Sequence, residues 1–491
     1  MNIKKIFCQI GLVILSSGLI FTNAYSAGKY EKFREENQSS YEFPSSPFGV
    51  AFGEGYHGEI FMDDIRNLGV RRTKISLKWN EIEPGPGVYR WKKVDAYVNQ
   101  LKEGDKALLN VFTVGWGTNN ESYKGATLKN EECKRLYREF IVKLVKRTKG
   151  KITYWQRDTE PASPRHWPAD KAKEYVETQK IFYQAVKSVQ PDAIVVGVNA
   201  NGSFNKMGQH SYSFFFNYII KNMRDYYDVL DVRLYEDLYT IQDRVSWFRN
   251  KMRQYGYEKP IVCTEFGGSD PRALSGKPFQ KLLKKIRDAC GKTSNPEGFF
   301  RCARNWMKSH RDEIDPRLKM FFPSATPDQE AKREKLHCHD IVQRHIVAYS
   351  SGVKASWWWN LQSAGKDLIF GKMRLMEFPD TKFPSYYCFK RMVSKLGNIS
   401  SIQKIGLPDE SIYFYRIKRA DNTTIYVAWH REKGVDFYNA EEAPPVMVSF
   451  KVGFKRAKIT DIFGNEKTKL TKNGILKLNL SDPPVYIEEE I

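Results

Sequence analysis

Past its first two dozen residues, this chain of 491 residues has no apolar run long enough to span a bilayer. No spanning helix is therefore expected, and no stable membrane insertion once the N-terminal segment is removed. Cysteine is scarce, seven in all, so the fold does not depend on a dense disulfide framework. There is no zinc-finger spacing, no Arg-rich tail and no RNA-binding aromatic motif, so nothing argues for nucleic acid as a partner. A Gly-rich phosphate loop is also missing. Phe48-Gly-Val-Ala-Phe-Gly-Glu-Gly55 is only a weak echo of one, which counts against an open doubly wound sheet. The run His337-Cys338-His339, with His345, has metal-ligand residue types. It falls in a predicted helix, Gln329–Ser350, where positions i and i+2 do not face together, so no metal site is expected.

The N-terminus carries a different signal. Lys4 and Lys5 precede a mostly apolar stretch from Ile6 to Phe21, and Ala24-Tyr25-Ser26 is a small-x-small cleavage site. Residues 1–26 are therefore expected to be a signal peptide, placing the mature chain in the periplasm or outside the cell. Of the six cysteines that remain, Cys290 and Cys302 share one irregular segment and are the best candidates for a disulfide. Cys263 sits in an apparent core strand and reads as a small buried hydrophobe. The formal charge is +22. Such a surface favours polyanions, an acidic polysaccharide or an anionic envelope, or else is simply a solvated basic surface.

Short apolar segments alternate with longer helical ones, the rhythm of a parallel sheet. Eight strands are predicted: Phe48–Phe52, Arg72–Leu77, Ala107–Phe112, Ile152–Arg157, Ala193–Val198, Leu230–Leu234, Ile261–Thr264 and Ala355–Trp359. The clearest helices between them are Glu131–Thr148, Asp170–Ser188, Ile241–Tyr255 and Gln329–Ser350, each with apolar residues at three- and four-residue spacing. Eight such units predict a closed (β/α)8 TIM barrel over residues 27–398, with the open sheet as runner-up. A long insertion rich in Lys, Arg, Gly and Pro, about 268–328, follows the seventh strand and should lie over the C-terminal face. From 399 to 491 the pattern turns to short alternating strands separated by turn residues, predicting a C-terminal antiparallel β-sandwich.

Two of the barrel strands end on carboxylates, in Trp155-Gln-Arg-Asp-Thr-Glu160-Pro161 and Pro260-Ile-Val-Cys-Thr-Glu265-Phe-Gly267. Together with Glu83-Pro84-Gly85-Pro86-Gly87-Val88-Tyr89-Arg90-Trp91 after Trp79, Asp231-Val-Arg-Leu-Tyr235 and Trp357-Trp358-Trp359, these phrases resemble the motifs of clan A glycoside hydrolases. They fall in the right order over nearly the whole mature chain, nearest the β-xylosidase and α-L-iduronidase type of family. The resemblance implies retaining hydrolysis of a glycosidic bond with no cofactor. Glu160 would protonate the leaving oxygen and Glu265 would attack the anomeric carbon, two carboxyl groups about 5–5.5 Å apart. Tyr235 would hold the nucleophile, and Trp116, Trp167 and Trp359 would offer stacking faces to sugar rings.

Three positions depart from the family pattern. Thr159 stands where the family has the Asn that bonds the sugar 2-hydroxyl, Lys74 replaces an Arg, and Arg233 replaces the sixth-strand His. One reading keeps the enzyme active on an unusual carbohydrate, with Lys74, Arg157, Arg233 and Arg165 clustering around a carboxylate or sulfate on the sugar. The other makes the barrel a weakened or inactive enzyme that serves as a secreted carbohydrate-binding or scaffold protein.

Overall fold

The computed structural model describes residues 46–53, 56–119, 127–162, 167–200, 210–291, 296–322, 325–362, 370–377 and 379–490. The expected signal peptide and Arg165 lie outside the described residues. Eight parallel strands close into a barrel in sequence order: β1 (Phe48–Gly53), β2 (Arg72–Lys78), β3 (Lys106–Phe112), β4 (Ile152–Arg157), β5 (Ile194–Ala200), β6 (Val229–Val232), β7 (Ile261–Phe266) and β8 (Val353–Trp359). Strand β8 pairs with β1 and closes the ring. Each expected strand is present. β6 stops at Val232, short of the expected Leu234, although the Arg233 amide still bonds Ala200 O at the rim.

Alternation along the strands sorts side chains into two cores. Ala51, Leu108, Tyr154, Val196, Val229, Val262, Ala355 and Trp357 fill the barrel interior. Their neighbours Trp155, Leu230, Cys263 and Trp358 face the helix layer instead. Local chemistry fixes where the helices start. Asn130 accepts the Cys133 amide and caps Glu131–Thr148. Thr326 and Gln329 form a reciprocal capping box, with Pro327 at the first turn, and open Pro327–Ser350. On that buried helix the three residues of the His-Cys-His run diverge. His337 stacks on Trp358, Cys388 Sγ reaches Cys338 O, and His339 Nδ1 meets Asp482 at 2.9 Å.

The segment after β7, expected as an irregular loop, is helical. Pro278–Cys290 and Pro296–Ser309 are joined by the Cys290–Cys302 disulfide, and a short helix Pro316–Lys319 follows. Its many basic residues mask an apolar stripe. Phe279, Leu282 and Ile286 recur at helical spacing and pack with Ala303, Met307, Leu318 and Phe322. Tyr235 and Met373 belong to the same cluster, and Trp359 packs against it. This insertion therefore builds its own small core on the C-terminal side of the barrel.

From Ile399 the chain forms a six-stranded antiparallel sheet and a two-stranded one. Between them lie Phe414, Ala428, Phe450, Leu476, Leu478 and Ile487. The outer face of the large sheet, with Tyr415, Val427, Trp429 and Tyr486, joins the core of the helix layer. The sequence pattern predicts Ser411–Arg416, Thr424–Trp429, Val446–Phe450, Ala457–Ile462, Ile475–Leu480 and Pro484–Glu488 as its strands; Ile399–Lys404 and Glu466–Leu470 go beyond these. Both are edge strands with no fully buried residue: the first turns only Ile399 and Ile402, three apart, toward the core and the second is exposed throughout, so neither shows a clean alternation.

Candidate functional site

The barrel interior changes character toward its C-terminal end. Above the apolar layer, five strands contribute polar side chains to one buried network. Gln156 Nε2 donates to Asn199 Oδ1, Asp231 Oδ2 and Thr264 Oγ1 at 2.8, 3.0 and 3.1 Å. Thr264 gives its amide to Asp231 Oδ1 at 2.6 Å and its hydroxyl to Oδ2 at 2.9 Å. Lys74 Nζ bonds Thr264 O at 3.2 Å, and Arg233 Nε bonds Asp231 Oδ2 at 3.2 Å.

Glu265 sits on this platform and is the exposed end of it. Parity should turn it away from the interior, because Thr264 already points in. Strand β7 shifts its register against β8 between Cys263 and Phe266, and Phe266 returns to the outer core. Such an irregularity re-aims a side chain next to a site. Glu265 then faces the barrel axis with 15% of its side chain exposed. Tyr235 OH donates to its Oε1 at 3.0 Å, Lys74 Nζ donates to its Oε2 at 3.3 Å, and Arg233 Nη1 is ion-paired with the same Oε2. Burial above all holds the Tyr235 hydroxyl well above the usual tyrosine range, which keeps it a donor; Arg233 opposes this and the Glu160 charge adds to it.

Glu160 ends the β4 phrase in a left-handed backbone conformation, φ 51°, two residues after Asp158 at φ 50°. Neither is glycine, and each such conformation costs on the order of 1–3 kcal/mol, which concentrates at functional sites. On β5, Val198 at φ 67° and Asn199 at φ 51° repeat the feature, and Asn199 O accepts the Glu160 amide. The Glu160 carboxylate acts electrostatically on Lys74, Tyr235 and Arg272. Two of these are the groups that bond Glu265, so the Glu160 charge is felt at the Glu265 end of the barrel. Thr159 is buried beside Glu160, 5% exposed.

Two expected site residues lie elsewhere. Gln156 points into the barrel, so its neighbour Arg157 must point out. Its guanidinium pairs with Asp158, bonds Gln179 and Tyr175 O, and lies over the Trp167 and Tyr175 rings. Trp167 is fully buried in the same place, its indole N–H on Asp158 Oδ2. Both pack the layer behind β4, fully buried, rather than the barrel mouth. Lys74 and Arg233 are in the mouth but do not form an open basic patch. Both are 0% exposed and bound to carboxylates. Burial first, then Arg233, holds the Lys74 ammonium well below the usual lysine range.

Trp359 ends β8 half-buried, against both the barrel interior and the insertion core that holds Tyr235. Trp116, past β3, is half-buried and tilted against Trp79 at 5.0 Å, with its N–H on Glu83 O. Glu83 in turn accepts Trp79 Nε1 and the Gly87 amide, so the Glu-Pro-Gly-Pro-Gly phrase closes a loop rather than meeting substrate. Residues that the sequence motifs leave out of the site are Gln156, Asn199, Thr264 and the Asp270–Arg272 pair, whose guanidinium lies 5.5 Å from the Tyr235 ring centre. Strand parity would have found Gln156 and Thr264.

No protein-family model and no curated protein matches the chain. Solved structures do match it in fold. A family 39 glycoside hydrolase from Bacteroides cellulosilyticus WH2 is 18% identical with a TM-score of 0.64, over 91% of this chain and 81% of that one. A monomeric β-xylosidase from Caulobacter crescentus CB15 is 13% identical with a TM-score of 0.56, over 92% of this chain and 98% of that one. The catalytic domain of a family 30 xylanase C from Talaromyces cellulolyticus is 11% identical with a TM-score of 0.55, over 91% of this chain and 99% of that one. The barrel with its C-terminal β-sheets is thus the fold of clan A glycoside hydrolase structures.

Proposed function

We propose that this chain is an exported glycoside hydrolase that cleaves an O-glycosidic bond of an oligo- or polysaccharide with retention, with Glu265 as nucleophile and Glu160 as acid/base. One observation carries the reading. Glu265 stands at the end of β7 held by Tyr235, Lys74 and Arg233, and Glu160, at the end of β4, acts on the same Tyr235 and Lys74. Two carboxylates from the C-terminal ends of different strands suit double displacement, which also requires about 5–5.5 Å between them. Export is supported by the charged, apolar and small-residue succession of residues 1–26. The net charge of +22 supports an acidic saccharide. Lys74, Arg157 and Arg233 do not recognise it, since each is buried against a carboxylate.

The second reading, a barrel that binds carbohydrate without cleaving it, is favoured by Thr159 and by the cations that engage Glu265. One experiment separates the two. Wild type, Glu160→Ala and Glu265→Ala are assayed on aryl glycosides and on neutral and acidic oligosaccharides, with proton NMR of the first-formed anomer. Turnover with retained configuration, lost in both variants, supports the enzyme. Tight glycan binding with no turnover by wild type supports the binding protein.

A further inference from the structure

Arg233 is the group whose position the fold and the reading above leave unexplained. It is fully buried, its Nε bonds Asp231 Oδ2, its Nη1 is paired with Glu265 Oε2, and its Nη2 has no hydrogen-bond partner. A guanidinium keeps its charge in a protein. The ammonium of Lys74 is weakened by the same burial and by Arg233 itself. Arg233 contacts two carboxylates, Glu265 and Asp231, where Lys74 contacts one.

We propose that Arg233 sets the balance between forming and releasing the covalent glycosyl-enzyme on Glu265, weighting it toward release. The inference rests on the retaining mechanism proposed above. In the first step a Glu265 oxygen bonds the anomeric carbon, the bond to the leaving oxygen breaks, and Glu160 gives that oxygen its proton. The charge of Glu265 disappears as this happens. A cation fixed on the carboxylate stabilises the starting state more than the transition state, and so slows the step. In the second step water attacks the anomeric carbon, Glu160 takes its proton, and Glu265 leaves as a carboxylate. The charge now develops beside a preorganised guanidinium, which speeds the step.

The groups facing Glu265 agree with this assignment. Lys74 comes from β2, Glu160 follows β4, Asp231, Arg233 and Tyr235 come from β6 and its end, Cys263 and Thr264 flank it on β7, and Arg272 lies beyond Tyr235. Among them Arg233 alone bridges Glu265 to a second buried carboxylate, which fixes where its charge sits. It acts directly on the carboxylate that bonds the sugar.

The test uses the full chain, with the Asp231→Asn/Arg233→Gln double variant, which removes the cation without stranding a buried carboxylate. The probe is a 2,4-dinitrophenyl glycoside that wild type turns over. Wild type is expected to release dinitrophenolate without a burst. The variant is expected to give a burst approaching one equivalent per enzyme, a kcat lower by roughly tenfold or more as release becomes limiting, and a kcat/KM raised by about threefold or more as formation is relieved. Its intact mass should rise by one glycosyl unit during turnover. Lys74→Met, which keeps the Arg233–Asp231 pair, is the second variant and should shift the same way by less. If kcat and kcat/KM fall together with no burst in either variant, Arg233 is only structural and the inference fails while the retaining reading stands. If wild type has no turnover, or Glu265→Ala keeps it, both fail together.

Discussion

Two groups of cations in this molecule share the sign of their charge and nothing else. In the barrel mouth, Lys74 and Arg233 are fully buried, and both contact the Glu265 carboxylate while Arg233 also contacts Asp231. On the edge of the C-terminal β-domain, Lys467, Lys469, Lys472 and Lys477 are exposed, and none makes an ion pair among the described residues. Total charge counts both groups alike, so it suggests a basic binding site where the structure has an internally neutralised one. What a cation can recognise depends on what has already bound it. The mouth cations orient a carboxylate, whereas the edge lysines carry charge that is free to meet solvent or a polyanion.

The largest effect that would break this comparison is on stability. Arg233→Ala leaves Asp231 buried with its hydrogen bonds but without its cation. Breaking one side of a buried pair typically costs about 3–5 kcal/mol. Urea unfolding should show a loss of about that size, and Asp231→Asn/Arg233→Gln should recover most of it. A loss below about 1 kcal/mol would be what an exposed pair gives, and would mean that the mouth is wet and its cations are no different from those at the edge.

Much of this architecture is legible in the amino-acid sequence. The eight strands, the helices between them and the two terminal carboxylates follow from apolar periodicity and from motif order. The departures have physical causes. Arg157 reads as a site residue because it lies next to Asp158 and Thr159, although alternation from Gln156 sends it outward. Glu265 shows the converse. Strict alternation from Thr264 would exclude it, and a register shift in β7 brings it back. The insertion looks irregular because basic residues dilute a real apolar stripe, and the edge strands escape the pattern because neither has a fully buried residue at strand spacing. Sequence pattern reports burial well. It reports local backbone departures poorly, and those are where the site is built.

A smaller effect separates buried from exposed groups through pH. His345 is packed among Phe48, Phe266, Trp358 and Phe389. Burial, opposed by its bond to Ile341 O, pushes its imidazole from an ordinary 6.5 down to about 3. It is neutral in the fold, so the unfolded chain takes up the proton first. Stability is whole above about pH 6.5 and falls as pH drops from there toward about 3, by up to about 1.4 kcal/mol per pH unit. His337 is shifted in the same direction, by burial and then by Arg333. Melting temperature should therefore decline between about pH 7 and about pH 4.5, and His345→Phe should flatten part of that decline. An unchanged slope in the variant would show that the imidazole is already solvated.

The smallest structural effect, and the sharpest statement of the contrast, belongs to the edge lysines. Lys467 and Lys469 lie on an edge strand whose five residues are all exposed, and Lys469 Nζ donates to the backbone oxygen of Lys477. Charge on such a strand also discourages edge-to-edge pairing between molecules, so these residues have a use even without a ligand. Replacing Lys467, Lys469 and Lys477 with Ser should leave the melting temperature of the monomer where it was. If the net charge of the protein serves an acidic saccharide, retention on immobilised polygalacturonate should fall, and its decrease with added salt should become shallower, because fewer counterions are exchanged. Turnover of a small aryl glycoside should not change, since that substrate meets only the mouth. Equal retention of wild type and variant would assign the edge lysines to solubility alone. A parallel loss of aryl-glycoside turnover would erase the distinction between the two groups of cations.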